Sequence, residues 1–263
     1  MAQESIQSEV RGAVAFVTLN RPDVLNSFDR PMARALQAVL DRHATDPGVR
    51  ALVLTGAGRA FCAGQDLAEV VPPDGSRGPE VSDVIAESYN PLVQRIAALE
   101  KPIVCAVNGV AAGAGANVAL ACDFVLAAKS ASFIQAFVNI GLVPDSGGTF
   151  FLPRLVGLAR AKSLALLGER LPAEQALAWG LIHAVHEPEK LMAEAEALAT
   201  KLAAMPTLAL GLTKRALHAS LDSTLEKQLE LERTLQGIAG KSHDYGEGVK
   251  AFQEKRKPKF TGR

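Results

Sequence analysis

With 263 residues, nearly half of them hydrophobic, the chain is long enough to bury a large core, either as one α/β domain or as a core with an appended helical piece. Its 28 Lys+Arg balance 28 Asp+Glu, so no global charge draws it to nucleic acid or to an anionic membrane surface. Cys62, Cys105 and Cys122 sit in apolar contexts without metal-ligand spacing, which argues against a thiolate metal site and for reduced, buried thiols in a cytoplasmic protein.

In chain order, MAQESIQSEV lacks a basic stretch followed by an apolar core, so no secretory signal is expected. No apolar run reaches membrane-spanning length. Residues 14–19 (VAFVTL) read as a strand closed by Asn20-Arg21-Pro22. Residues 27–43 show helical spacing of Met32, Leu36, Val39 and Leu40, with Pro31 tolerable in the first turn. After a turn at 46–48, residues 49–55 (VRALVLT) form a nearly continuous apolar strand, the pattern of a parallel sheet buried on both faces. Strand, helix, strand then implies a right-handed crossover. Residues 71–80, broken by prolines, read as a mobile surface loop or a lid, and 84–99 return to helical spacing.

Residues 101–149 organise the rest. A short strand at 103–107 is broken by Asn108-Gly109, and VAAGAGA (110–116) follows with almost no side-chain bulk. A helix at 117–121 and a strand at 124–127 come next, then a loop carrying PDSGG (144–148). Small residues between strand and helix let a ligand touch free backbone N–H groups; close helix packing is the plainer alternative. Residues 63–66 (AGQD) and 113–116 (GAGA) each follow a strand, and each could offer one N–H. Two donors converging on one oxygen would form an oxyanion hole. The last third, with helical periodicity at 172–179, 188–202, 208–217 and 224–238, should pack on the core and on other subunits.

These stretches together resemble the crotonase, or enoyl-CoA hydratase/isomerase, superfamily over nearly the whole chain. The matching residues are LNRP at 19–22, LN at 25–26, AFCAGQDL at 60–67, KP at 101–102, AVNG at 106–109, ACD at 121–123, GLVP at 141–144, GGT at 147–149, and the segments 176–180 and 251–257. The resemblance implies an α/β fold, a spiral of repeated ββα units over residues 1–187, with a helical C-terminal oligomerisation region at 188–263. It also implies an acyl-CoA thioester as substrate, no separate cofactor or metal, and a homo-oligomer, either a trimer or a dimer of trimers. By position, Gln65 and Ala114 would supply the oxyanion-hole N–H groups. Substrate and CoA contacts would fall to Val24, Ala63, Gln65, Asp66, Leu67, Tyr89, Ala114, Asn117 and Phe137.

The departures narrow the chemistry. Hydratases of this family carry glutamates where this chain has Asn117 and Phe137. Neither replacement can move a proton near neutral pH, so simple hydration is disfavoured. What remains is Asp145. Its local sequence permits a helix N-cap; the resemblance makes it an acid/base facing the acyl group, in a pocket expected to include Phe133, Phe137, Val138 and Leu142, where its pKa would rise. VAAGAGA, GLVPDSGGT and Tyr89-Asn90-Pro91-Leu92 look most like the ring-1,2-epoxyphenylacetyl-CoA isomerases of aerobic phenylacetate degradation. One carboxylate would suffice for such an isomerisation or for shifting an enoyl-CoA double bond. Hydration, aryl-CoA dehalogenation by nucleophilic aspartate, and non-catalytic acyl-CoA binding stay as alternatives. Asp66 reads as a loop-structuring residue, the five histidines as surface or packing groups, and the basic cluster 255–259 as a solvated tail or, by resemblance, a neighbour of CoA phosphates.

Overall fold

The computed structural model describes residues 4–71 and 78–263, so residues 72–77, most of the proposed lid, lie outside the described residues. The larger of two sheets contains β1 (Ile6–Arg11), β2 (Val14–Leu19), β3 (Ala51–Gly56), β5 (Ile103–Val107), β7 (Phe124–Ala128) and β10 (Ala184–His186), in the order β1-β2-β3-β5-β7-β10. All neighbours are parallel except β1 and β2. The smaller sheet holds β4 (Ala60–Cys62), β6 (Val110–Ala112), β8 (Ser132–Ile134) and β9 (Arg170–Pro172), in that order.

Three successive passes, β3–β4, β5–β6 and β7–β8, each add one strand to the larger sheet and then one to the smaller. This repeat is the expected spiral. Every residue of β3 and β5 is buried, which explains their unbroken apolar sequence. The Asn108 amide at the β5–β6 turn donates to Gly58 O of the preceding pass at 2.9 Å, tying one turn of the spiral to the next.

Helix Arg30–Thr45 begins later than its periodicity predicts, because Asp29 caps it by accepting from Met32 N at 2.8 Å. Its buried Met32, Leu36 and Leu40 contribute on the order of 2 kcal/mol each. The single helix expected at 84–99 is three pieces: Val81–Val84, a π turn at Ile85–Tyr89, and Asn90–Ala98. The extra residue of the π turn swings Tyr89 into the interior, where it is 1% exposed.

A helix over Gly148–Leu167, broken at Gly157, follows the PDSGG loop and was not marked by periodicity. The three free cysteines are buried. Helix Leu191–Ala203 lies across β2, β3, β5, β7 and β10 and so closes the outer face of the larger sheet. Helices Thr207–Ala219, Leu225–Ala239 and His243–Gln253 complete the chain, the second packed on the first. Among the described residues, no helix is long and apolar enough to cross a membrane.

Candidate active site

The two small-residue loops meet. Gly64 sits at φ +96°, and a methyl placed on it would lie 2.9 Å from Ala112 O and 3.6 Å from Ala114 N, so only glycine lets the loops approach this closely. Gln65 forms a parallel bridge with Phe28, made by Phe28 N donating to Gly64 O at 2.7 Å and Asp66 N donating to Phe28 O at 2.8 Å. That arrangement leaves the Gln65 N–H outside the bridge. Ala114 opens helix Ala114–Leu120, earlier than the predicted start at 117, and a first-turn N–H has no acceptor within its own helix. Both candidate donors are therefore free of the bonds that build their loops.

Between them lies a cavity of about 220 Å³. Ala63, Gln65, Leu67, Ala114, Phe137 and Asp145 line it, together with Ala136, Asn139, Ile140 and Leu142 from the following segment and Val70 and Val81 beside residues 72–77. Phe137 and Leu142 thus fall where expected. Phe133 and Val138 are not among the lining residues: Phe133 faces the core from β8, and Val138 is 39% exposed on the outer side of the Ala136–Ile140 turn. Asp145 is the one ionisable side chain among the described lining residues. Burial pushes its carboxyl above the usual carboxylate range, opposed by a bond donated by Ser146 Oγ to Oδ1 at 2.7 Å.

The helix-cap reading of Asp145 is corrected here. The helix that follows starts at Gly148 with Gly147 as N-cap, and no side chain caps it. Asp145 contributes its main-chain oxygen to that turn, accepting from Gly148 N at 2.8 Å. The carboxylate remains free to face the cavity because Ser146 (φ +50°) and Gly147 (φ +78°) are both left-handed and turn the chain sharply behind it.

Four residues assigned substrate contacts lie outside the lining. Val24 is 42% exposed in the turn Pro22–Val24. Asp66 caps helix Leu67–Val70 through Ala68 N and pairs with Arg21 at 2.9 Å, the loop-structuring role expected of it. Tyr89 donates from its hydroxyl to Gln65 Oε1 at 2.6 Å, and burial pushes its phenol up, so it stays protonated. Asn117 is wholly buried and bonds to Asp145 O and Gln135. Sequence reasoning missed Glu69, which accepts from Gln65 Nε2 at 3.3 Å and pairs with Arg30 at 2.8 Å. Its place one helical turn after Gln65 was the available signal. Cys62 abuts the site, yet burial pushes its thiol up to about 12, which leaves no thiolate for nucleophilic work.

The sequence model described as enoyl-CoA hydratase/isomerase matches residues 9–263. The chain is 52% identical to the 1,2-epoxyphenylacetyl-CoA isomerase of Escherichia coli K12, covering 99% of each. It is 47% identical to a Rhodobacter capsulatus protein named a probable enoyl-CoA hydratase, over 100% of each. Among solved structures, an enoyl-CoA hydratase from Bacillus anthracis superposes with a TM-score of 0.91 at 32% identity, covering 99% of this chain and 100% of that one. A sheet pair wound in ββα passes and whole-length identity of this order lead to one conclusion: the chain belongs to the enoyl-CoA hydratase/isomerase family.

Proposed function

We propose that this enzyme isomerises acyl-CoA thioesters by moving one proton, with Asp145 as the acid/base and the N–H groups of Gln65 and Ala114 as the oxyanion hole. The substrate is a ring-1,2-epoxyphenylacetyl-CoA, converted to the oxepin thioester, or an enoyl-CoA whose double bond shifts. The observation that carries this reading is the Asp145 carboxyl, the one ionisable side chain among the described lining residues and raised by burial, in an apolar cavity that Gln65 and Ala114 also line. In the double-bond reaction, the Asp145 carboxylate takes a proton from the carbon next to the thioester, and that C–H electron pair moves into the carbonyl to give an enolate. The two N–H groups hold the enolate oxygen, since preorganised donors stabilise the charge where it develops. Asp145 then returns the proton to the far end of the conjugated system, and the carbonyl re-forms. No atom is gained or lost. A single carboxylate with a pKa moved toward neutrality can both accept and redeliver.

Hydration would need a second group to activate water, and the described lining offers none: Phe137 cannot ionise, and Asn117 lies behind the wall. Exposed Leu225, Leu229 and Ile238 along helix Leu225–Ala239 leave an apolar surface for packing against other copies, for which a trimer or a pair of trimers is proposed.

The test is Asp145→Asn, similar in shape but unable to accept a proton at neutral pH. Isomerisation of 3-hexenoyl-CoA should fall by about a hundredfold or more, the lower range for losing general acid–base catalysis. Affinity for saturated hexanoyl-CoA should be kept. A fully active variant overturns the reading.

A further inference from the structure

The wall behind the base contains a polar group that touches no cavity. Asn117 belongs to helix Ala114–Leu120, three residues after the Ala114 donor, and is 0% exposed. Its Nδ2 donates to the main-chain oxygen of Asp145 at 2.8 Å, and its Oδ1 accepts from Gln135 Nε2 at 2.8 Å. The direction of the first bond is not arbitrary. A main-chain carbonyl can only accept, so the amide must present its NH2 to Asp145 and its oxygen to the donating Gln135. Packing holds the amide in place: a methyl added to Gly148 would come within 2.9 Å of Asn117 Cγ, so the first turn of the next helix sits directly on it.

The geometry points to Asn117 as the positioning residue of the base: through the Asp145 main chain it fixes where the carboxylate stands relative to the oxyanion-hole N–H carried by its own helix. This rests on the assignment of Asp145 as acid/base. Residues Ala114 and Asn117 share one short rigid element, so donor and base are held in a single frame rather than on two independent loops. The Asp145 carbonyl itself is held by two donors, Gly148 N within the turn and the Asn117 amide from the neighbouring helix, and only the second ties it to the element that carries Ala114. Ser146 occupies a left-handed conformation that costs a non-glycine residue about 1–2 kcal/mol, and Gly147 next to it is left-handed as well. Without the Asn117 bond the strained turn can relax and carry the carboxylate with it. Asn117 binds no substrate in this arrangement; its effect lies on the rate of proton transfer alone.

The experiment compares Asn117→Asp with the parent enzyme, singly and combined with Asp145→Asn. The substitution keeps the shape and the acceptor for Gln135, and turnover is read at a pH above the titration of the new carboxyl, where the oxygen facing Asp145 O has no proton to donate. Turnover of 3-hexenoyl-CoA per folded molecule should fall about 10- to 100-fold, the usual consequence of a misplacement near 1 Å. KM and hexanoyl-CoA affinity should stay within about threefold, because no bound group is lost. In the Asp145→Asn background the same change should cost nothing further, since two residues acting through one group are not additive. Unchanged turnover in the single variant overturns the inference, as does a matching loss of thioester affinity, which would make Asn117 a substrate contact. An undiminished further loss in the double variant overturns it too. If Asp145→Asn alone is fully active, the assignment of the base fails first, and Asn117 falls with it. Should Asn117→Asp not fold, Asn117→Ser, which is too short to reach Asp145 O, is read by the same criteria.

Discussion

The loop around Gln65 adds a mesh of side-chain bonds to its main-chain bridge with Phe28, whereas the loop around Asp145 is held chiefly through its main chain. On the first, Tyr89 grips Gln65 Oε1, Glu69 takes Gln65 Nε2, Arg30 pairs with Glu69, and Arg21 pairs with both Asp29 and Asp66. On the second, the Asp145 carbonyl is gripped by Gly148 N and the Asn117 amide, and among the described residues the carboxylate meets one protein donor, Ser146. The difference fits the roles proposed for the two loops. An oxyanion donor is a backbone N–H whose direction must not change, and a mesh of side-chain bonds immobilises it. A base must exchange its proton with substrate, so its own oxygens have to stay lightly bonded while the chain beneath them is fixed.

The contrast breaks most sharply at Ala114. Proline at the first helical position is tolerated by the helix and removes only the N–H. Ala114→Pro should raise the isomerisation barrier by about 3 kcal/mol, the scale for one lost oxyanion-hole donor, with far-UV circular dichroism unchanged. Normal kcat in the folded variant would remove this residue from the hole.

A smaller loss is expected from loosening the side-chain mesh. Tyr89→Phe leaves the Gln65 amide oxygen without its buried donor. The loop should lose about 1 kcal/mol of restraint, lowering kcat about fivefold with little change in KM. Parental kcat would show that the mesh does not tune the N–H.

The smallest effect concerns stability and sharpens the account of the base. Burial raises the Asp145 pKa in the folded chain, so the native state keeps this proton to higher pH than the unfolded state does. Its contribution to stability is complete below the ordinary carboxylate pKa of about 4 and is lost as pH rises through the raised value. Asp145→Asn, uncharged throughout, should therefore melt above the parent at pH 7, with the gap closing toward pH 4. A variant that melts lower at pH 7 would mean that the ionised carboxylate is stabilised by partners, contrary to this structure. A gain in stability with a loss of activity is what a strained functional group predicts.

The chain's own order of residues was enough for four strands of the larger sheet, because β2, β3, β5 and β7 are largely apolar runs with turn signals at their ends, but not for its edge strands β1 and β10. It was enough, too, for the two small-residue loops, since glycine and alanine at those positions have few other uses. The short strands β4, β6, β8 and β9 are three residues each and carry no period of their own; they exist because the spiral brings their edges together. Helix Gly148–Leu167 escaped for a related reason: Pro153 and Gly157 interrupt it, and its apolar residues do not line up on one face. At the site, Asp145 and the absence of the family's two glutamates were legible only through the family resemblance. The surroundings of Asp145 were not legible even so. Whether Asp145 capped a helix or faced a cavity, and whether Asn117 touched substrate or the back of the base, depended on contacts across 28 residues of chain that local spacing does not encode. Residue type determined which chemistry was possible; only tertiary packing decided which atom of each residue faces the cavity and which holds the wall, because that choice is made by neighbours distant in sequence.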